Sequence, residues 1–360
     1  MATIRVLVVE DSVTVRRRLC EVLASDPALA VVGEAADGKQ AIERCHALRP
    51  DVVTMDMMLP VLSGLGATEH IMAHCPTPIL IVSSSTNRGE LFKTYDALAA
   101  GAVDVMEKPR GTEMDGVWER QFIATVKLVS RIRVVTHLRA RLGVLGQPPI
   151  ESGPTAWFVR SPSDENYEIV AIGASTGGPA AILEILRVLP SPFPLPVLFV
   201  LHIGEPFGTA FGDWLSHQTG IPVSYAHDGD VVSTMAGRVT MAPPDAHLVV
   251  KDGRLRLTQD PMRHSCRPSV DILFESVARE YGPSAIACLL TGMGRDGAAG
   301  LLEVRQAGGL TIAQDEATSV VYGMPREAMI LGGVVRELPL HEIGSTLAAL
   351  SARKGELRQP

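Results

Sequence analysis

Gly173-Ala174-Ser175-Thr176-Gly177-Gly178 offers a serine hydroxyl on a glycine-rich turn. Before it runs Glu168-Ile169-Val170-Ala171-Ile172, apolar and β-branched, which reads as a buried parallel strand. After it, Ile182, Ile185, Leu186 and Leu189 recur at helical spacing. Strand, tight turn and helix is the setting in which a Gly-x-Ser-x-Gly serine acts as a nucleophile, with the first helical amides placed to stabilise an oxyanion. Alone, the same hexapeptide also suits a turn that binds phosphate or simply packs. A base and an orienting acid must decide between these readings.

His202 ends the apolar segment Val197–Leu201, and Asp296 sits in Thr291-Gly292-Met293-Gly294-Arg295-Asp296-Gly297, after the strand expected over Ala285–Thr291. A histidine at a strand end is commonly a surface or core residue, and an aspartate in a glycine-rich loop is commonly a turn former. Taken together they lie on the same sheet edge as Ser175. They make a candidate triad in the order Ser, His, Asp, unlike the Ser, Asp, His order of α/β-hydrolases.

A second group of reactive residues lies in the first third of the chain. Glu10 and Asp11 close the first apolar strand and Asp56 the third, while Ser83 ends the fourth and Lys108-Pro109 follows the fifth. In a doubly wound sheet these ends face one crevice. Carboxylates gathered there repel one another unless a cation neutralises them, and magnesium suits because it keeps waters and pairs with phosphate oxygens. A hydroxyl and an ammonium at those places can contact a phosphoryl group on Asp56.

The elements that must carry these residues are legible as rhythm. Strands are predicted at Val6–Val9, Val31–Ala35, Val52–Met55, Ile79–Val82 and Val103–Met106, with amphipathic segments such as Val13–Leu23 and Gln40–Leu48 between them. That alternation predicts a doubly wound, five-stranded parallel sheet over residues 1–125. Its last helix begins near Val117, with Trp118, Phe122, Val126 and Val129 on one stripe, and is expected to continue through a basic face of Arg131, Arg133, Arg139 and Arg141. Glycines and prolines from Gly143 to Asp164 read as a linker within 126–165. A second α/β domain with a mostly parallel sheet is expected over 166–352, with strands at Val197–His202, Arg238–Met241, Ala285–Thr291 and Leu310–Ala313.

A chain of 360 residues with 46% hydrophobic and 20% charged residues has the material for two cores. Net charge is −7, which gives no basic footprint for nucleic acid. The five cysteines are scattered without a Cys-x-x-Cys pair, which argues for reduced thiols in a cytoplasmic protein. The amino-terminal residues have no signal-peptide layout, and apolar runs such as Leu195 to Leu201 are too short for membrane insertion.

Residues 4 to about 125 resemble a response-regulator receiver domain. The resemblance implies phosphoryl transfer from a chemotaxis-type histidine kinase to Asp56, with Mg2+ held by Glu10, Asp11, Asp56 and the backbone carbonyl of Met58. It implies that Ser83 and Lys108 read the phosphorylated state. Where receivers commonly carry an aromatic switch residue, three positions before the lysine, this chain has Val105.

Residues 166 to 350 resemble the chemotaxis protein-glutamate methylesterase (CheB) family. The matching runs are Ala171–Gly178, Arg267-Pro268-Ser269-Val270-Asp271, Leu290-Thr291-Gly292-Met293-Gly294 and Gly323-Met324-Pro325-Arg326-Glu327-Ala328. The resemblance implies Ser175 as nucleophile, His202 as general base and acid, Asp296 as orienter and the Met293 amide as oxyanion donor, with no cofactor in this domain. It implies hydrolysis of glutamate γ-methyl esters on methyl-accepting chemoreceptors, deamidation of receptor glutamines, and a receiver that covers the site until phosphorylated. Two positions depart from the family text: Gly204-Glu205 after the base, and Cys266, where a basic residue or histidine often stands. The rival readings are a receiver joined to a non-catalytic anion-binding module, and a serine esterase acting on a different sensory protein. A DNA-binding response regulator is disfavoured, because no helix-turn-helix or basic patch follows the receiver.

Overall fold

The computed structural model describes residues 3–84, 87–109, 116–132, 134, 166–204, 206–208 and 210–356. The predicted linker from Gly143 to Asp164, Arg133, Arg139, Arg141 and Glu205 lie outside the described residues.

The first unit alternates β1 (Ile4–Val9), α1 (Val13–Ala24), β2 (Leu29–Ala35), α2 (Gly38–Leu48), β3 (Val52–Met55), α3 (Gly64–His74), β4 (Ile79–Ser83), α4 (Arg88–Ala99), β5 (Asp104–Glu107) and α5 (Val117–Val129). Its five strands are parallel in the order β2-β1-β3-β4-β5. Side chains alternate between the two faces. Val6 and Val8 join the core beneath Trp118 and Phe122, while Leu7 and Val9 face the core under α2 and α3. Helix α5 stops at Val129 rather than running on through Arg131. The Ser130 hydroxyl donates to the Lys127 carbonyl, and Arg131 and Ile132 make tight bonds to Leu128 and Val129, which use up the terminal acceptors.

The second unit contains β6 (Ile169–Ala174), α6 (Gly178–Val188), β7 (Val197–Leu201), α7 (Phe211–Thr219), β8 (Val223–Tyr225), β9 (Val239–Met241), a hairpin of β10 (His247–Lys251) and β11 (Arg254–Thr258), α8 (Val270–Tyr281), β12 (Ala285–Leu289), α9 (Ala298–Gln306), β13 (Leu310–Gln314), α10 (Met324–Ile330), β14 (Arg336–Leu338) and α11 (Leu340–Glu356). Seven strands form one parallel sheet, β14-β13-β12-β6-β7-β9-β8. From central β6 the chain moves to β7 on one side and later returns to β12 on the other. That places a topological switch point beside β6, where ligands bind in such sheets. Strand β12 ends at Leu289, so Thr291 belongs to the following loop.

The units are packed together through α4. Tyr95 is fully buried, its ring 5.3 Å from Phe211 and 5.5 Å from Trp214. The Asp96 carboxylate accepts from Trp214 Nε1 at 2.8 Å and Gln218 Nε2 at 3.2 Å, and Arg88 pairs with Asp213 at 3.0 Å. Among the described residues no helix is long and apolar enough to cross a membrane.

Candidate functional site

Strands β1 and β3 are neighbours at the switch point of the first sheet, so their ends deliver Glu10, Asp11 and Asp56 to one place. One oxygen from each lies within 4.8 Å of the others. Asp11 is exposed, while Glu10 and Asp56 are buried. Lys108, at the end of β5, reaches across with Nζ 2.7 Å from Glu10 Oε2 and 3.0 Å from Asp56 Oδ2. Burial pushes the Glu10 carboxyl up to about 7; the Asp56 charge adds to this and Lys108 opposes it. Burial alone would lower the Lys108 pKa, but the Asp56 and Glu10 charges reverse that and raise it. The main-chain amide of Lys108 donates to the Ser83 carbonyl at 3.1 Å, which ties the buried Ser83 to the same corner. Met58 lies two residues beyond Asp56 in the same loop, its side chain exposed. An all-oxygen carboxylate set with one lysine fits a hard divalent cation such as Mg2+.

The second site is built at the ends of β6, β7 and β12. The Ser175 amide donates to the Thr291 carbonyl and the His202 amide to the Ala174 carbonyl, so Ser175 is pinned to the loop after β12 and His202 to the end of β6. His202 Nε2 lies 2.9 Å from Asp296 Oδ2. Asp296 is buried at the amino terminus of α8. Its Oδ1 accepts from Ser269 Oγ at 2.7 Å and the Asp271 amide at 3.1 Å, and its Oδ2 accepts from the Val270 amide at 2.8 Å. Burial works against the Asp296 charge, but His202 and these donors hold its pKa below the usual carboxylate value. For His202, burial works against the imidazolium, and bonds to Asp296 and Cys266 outweigh it, taking the pKa up to about 9.

Ser175 and His202 line one cavity of about 290 Å3, together with Val105, Met106 and Lys108 of the first unit. The Ser175 cavity thus opens on the boundary between the two units, where the Thr176 hydroxyl lies 3.5 Å from Asp104 Oδ2. The turn after β12 packs hard on the serine. A Cβ at Gly292 would lie 2.8 Å from Ser175 Cβ and 2.2 Å from Met324 Sδ. Met293, next along, is half exposed at the rim of a cleft with Cys266 and Arg295.

The structure brings Glu10, Asp11, Asp56 and Lys108 together, with Ser83 alongside, and joins His202 to Asp296 with Ser175 in the same cavity. Residue-by-residue reading gave no role to Ser269 or the Val270 and Asp271 amides. The signal was present in the Ser-x-Asp start of an amphipathic helix, where free amides collect an anion.

Residues 170–347 match the family model for the CheB methylesterase, and residues 6–114 that for the response regulator receiver domain. A protein-glutamate methylesterase/protein-glutamine glutaminase of Nitrosospira multiformis is 42% identical over 361 residues, covering 99% of this chain and 99% of that one. A relative of the same designation from Anaeromyxobacter dehalogenans is 42% identical over 97% of each chain. The Thermotoga maritima CheB methylesterase catalytic domain, a crystal structure, aligns with 51% of this chain and 99% of its own at 35% identity and a TM-score of 0.49. This chain belongs to the CheB methylesterase family, with a response-regulator receiver domain ahead of the methylesterase domain.

Proposed function

We propose that the chain is a phosphorylation-gated protein-glutamate methylesterase that also deamidates glutamine, acting on methyl-accepting chemoreceptors in the cytoplasm. The domains follow as a receiver over 1–125 and a hydrolase over 166–352. The Ser175 hydroxyl attacks the γ-carbonyl of a methylated glutamate and gives its proton to His202. That proton then leaves with methanol, and water hydrolyses the acyl-enzyme by the same route reversed. A glutamine side chain forms the same acyl-enzyme and releases ammonia. Asp296 fixes the ring and stabilises its charge, and the Met293 amide donates to the oxyanion. The observation that carries this reading is the 2.9 Å pair of His202 and Asp296, with Asp296 held by a helix terminus and the ring in the Ser175 cavity.

In the receiver, Asp56 accepts the phosphoryl group from a histidine kinase, Glu10, Asp11, Asp56 and the Met58 carbonyl would hold Mg2+, and Lys108 and Ser83 contact the transferred group. The bound ion supplies charge neutralisation for phosphoryl transfer. Residues of both units line the Ser175 cavity, which supports a resting form whose substrate access is restricted by the docked receiver. Methanol release from methylated receptor membranes, with and without a small-molecule phosphodonor and Mg2+, tests enzyme, substrate and gate together. Turnover by Ser175→Ala near the wild-type rate would falsify the nucleophile assignment.

A further inference from the structure

Cys266 stands beside the base rather than beside the substrate path alone. Its Sγ lies 3.7 Å from His202 Nδ1, on the side of the ring opposite Asp296. One ligand atom each from His202, Cys266 and Asp296 falls within 4.8 Å of the others. A zinc ion bound at about 2.0 Å to an imidazole nitrogen and about 2.3 Å to a thiolate holds those two atoms roughly 3.5 Å apart in a tetrahedral site. The observed spacing meets that requirement with a few tenths of an ångström to spare.

The arrangement around the pair is also that of a metal ligand. A zinc-bound histidine characteristically donates its other ring N–H to a carboxylate, which fixes the tautomer and turns the free lone pair toward the metal. Here Asp296 takes His202 Nε2, and Asp296 is itself immobilised by Ser269 and the α8 amides. The thiol is half-buried and lines an open cleft of about 560 Å3 with Met293, Arg295 and Asp296, so a hydrated cation reaches it without passing between the two units.

We propose that His202 Nδ1 and Cys266 Sγ form an inhibitory site for a thiophilic divalent cation, Zn2+ above all, with Asp296 as its outer-sphere support and water completing the shell. The bound ion occupies the lone pair that must take the Ser175 proton, so metal binding and turnover exclude one another. Thiolate and imidazole favour Zn2+ over Mg2+, so the magnesium that serves the receiver leaves this site free. The inhibitory consequence rests on the assignment of His202 as base; the binding itself does not.

The test uses the full-length reduced protein, freed of metals and held in excess Mg2+ to occupy the carboxylate pocket, and titrated with Co2+ as a spectroscopic stand-in for zinc. Wild type should develop near-ultraviolet thiolate-to-cobalt absorption, abolished by one equivalent of Zn2+ and missing in Cys266→Ser and in His202→Ala. Under the same conditions Zn2+ should suppress methanol release from methylated receptor membranes, and chelation should restore it. The zinc concentration that halves activity, taken relative to each protein's own metal-free rate, should rise at least about a hundredfold in Cys266→Ser. Absence of the cobalt band, a band retained in Cys266→Ser, or equal zinc sensitivity of wild type and Cys266→Ser overturns the site. If the band forms as described but the metal-free protein releases no methanol, the cation site stands and the methylesterase reading fails.

Discussion

The Tyr95 hydroxyl of α4 donates to the main-chain carbonyl of Phe207, across the boundary between the receiver and the catalytic unit. Phe207 lines the same cavity as Ser175 and His202. The bond therefore fastens the receiver to the loop that follows the base. Tyr95→Phe keeps the ring against Phe211 and Trp214 and deletes only the donor. Such a bond contributes about 1 kcal/mol net, so the undocked fraction should rise about fivefold. Methanol release by the unphosphorylated variant should increase by that factor, and stimulation by a phosphodonor should shrink correspondingly. Unchanged basal activity would mean that docking does not limit access.

The receiver pocket predicts a separation of functions. Asp56→Asn removes the acceptor but leaves the Ser175 cavity intact, so basal methanol release should persist while phosphodonor stimulation disappears. If the metal serves phosphoryl transfer and not ester hydrolysis, as proposed, chelation of Mg2+ from the wild-type protein should reproduce the second effect without the first. A parallel loss of basal turnover on chelation would place a metal in the hydrolytic step.

Asp296 is held by four fixed donors, His202 Nε2, Ser269 Oγ and the Val270 and Asp271 amides, and that predicts a graded series. Asp296→Asn removes the charge that stabilises the imidazolium and should lower kcat on the order of a thousandfold. Ser269→Ala removes one of the donors and leaves the Val270 and Asp271 amides in place. It should lower kcat about tenfold with little change in KM, and it should shift the pH–rate profile, since Asp296 sets the basicity of His202. A merely structural role for Ser269 would lower thermal stability without moving that profile.

Much of this was legible in the chain. The five receiver strands and the strand–turn–helix around Ser175 announce themselves because buried parallel strands are short apolar runs bounded by glycine or by charge. The reactive residues follow, since the ends of such strands share one crevice. Shorter or half-exposed strands did not announce themselves. Val223–Tyr225 and Arg336–Leu338 are three-residue edge strands, and β11 of the hairpin alternates arginine with leucine. Its turn did carry a signal: Asp252 and Gly253 both have positive φ, as a two-residue hairpin requires. The placement of Cys266 against His202 and of Asp104 against Thr176 depends on how separate loops and units pack. No local pattern encodes that.

Close packing at the serine turn gives a further prediction. Gly292→Ala would drive a Cβ to 2.2 Å from Met324 Sδ and 2.8 Å from Ser175 Cβ. Met324 is fully buried, so its thioether has no solvent to swing into. The strain must move the Ser175 turn or α10. Misplacement of a nucleophile by about an ångström lowers turnover on the order of a hundredfold. Methanol release should fall by that order while melting temperature drops by only a few degrees. Near-wild-type activity would show that the turn is more compliant than its packing implies.

Strand β5 ties the two sites together, and its first residue predicts a pH dependence. Lys108, just past its end, contacts Asp56, while Asp104 at its start faces Thr176, the neighbour of the nucleophile. Burial at the boundary pushes the Asp104 carboxyl up to about 6, against partial relief from the Val105 amide and the Thr176 hydroxyl. An exposed aspartate titrates near 3.8. Between these values the docked form holds a proton that the undocked form releases. Docking is therefore fully supported below the lower value, weakens as pH rises through about 6, and is opposed at neutral pH by a charge that prefers water. Asp104→Asn keeps the shape without the charge. It should tighten docking at pH 7.5 by about tenfold, lower basal methanol release to match, and leave activity with phosphodonor closer to wild type. Small-angle scattering should show wild type expanding between pH 5 and pH 7.5 while Asp104→Asn stays compact. Equal expansion of both proteins would remove Asp104 from the control of docking.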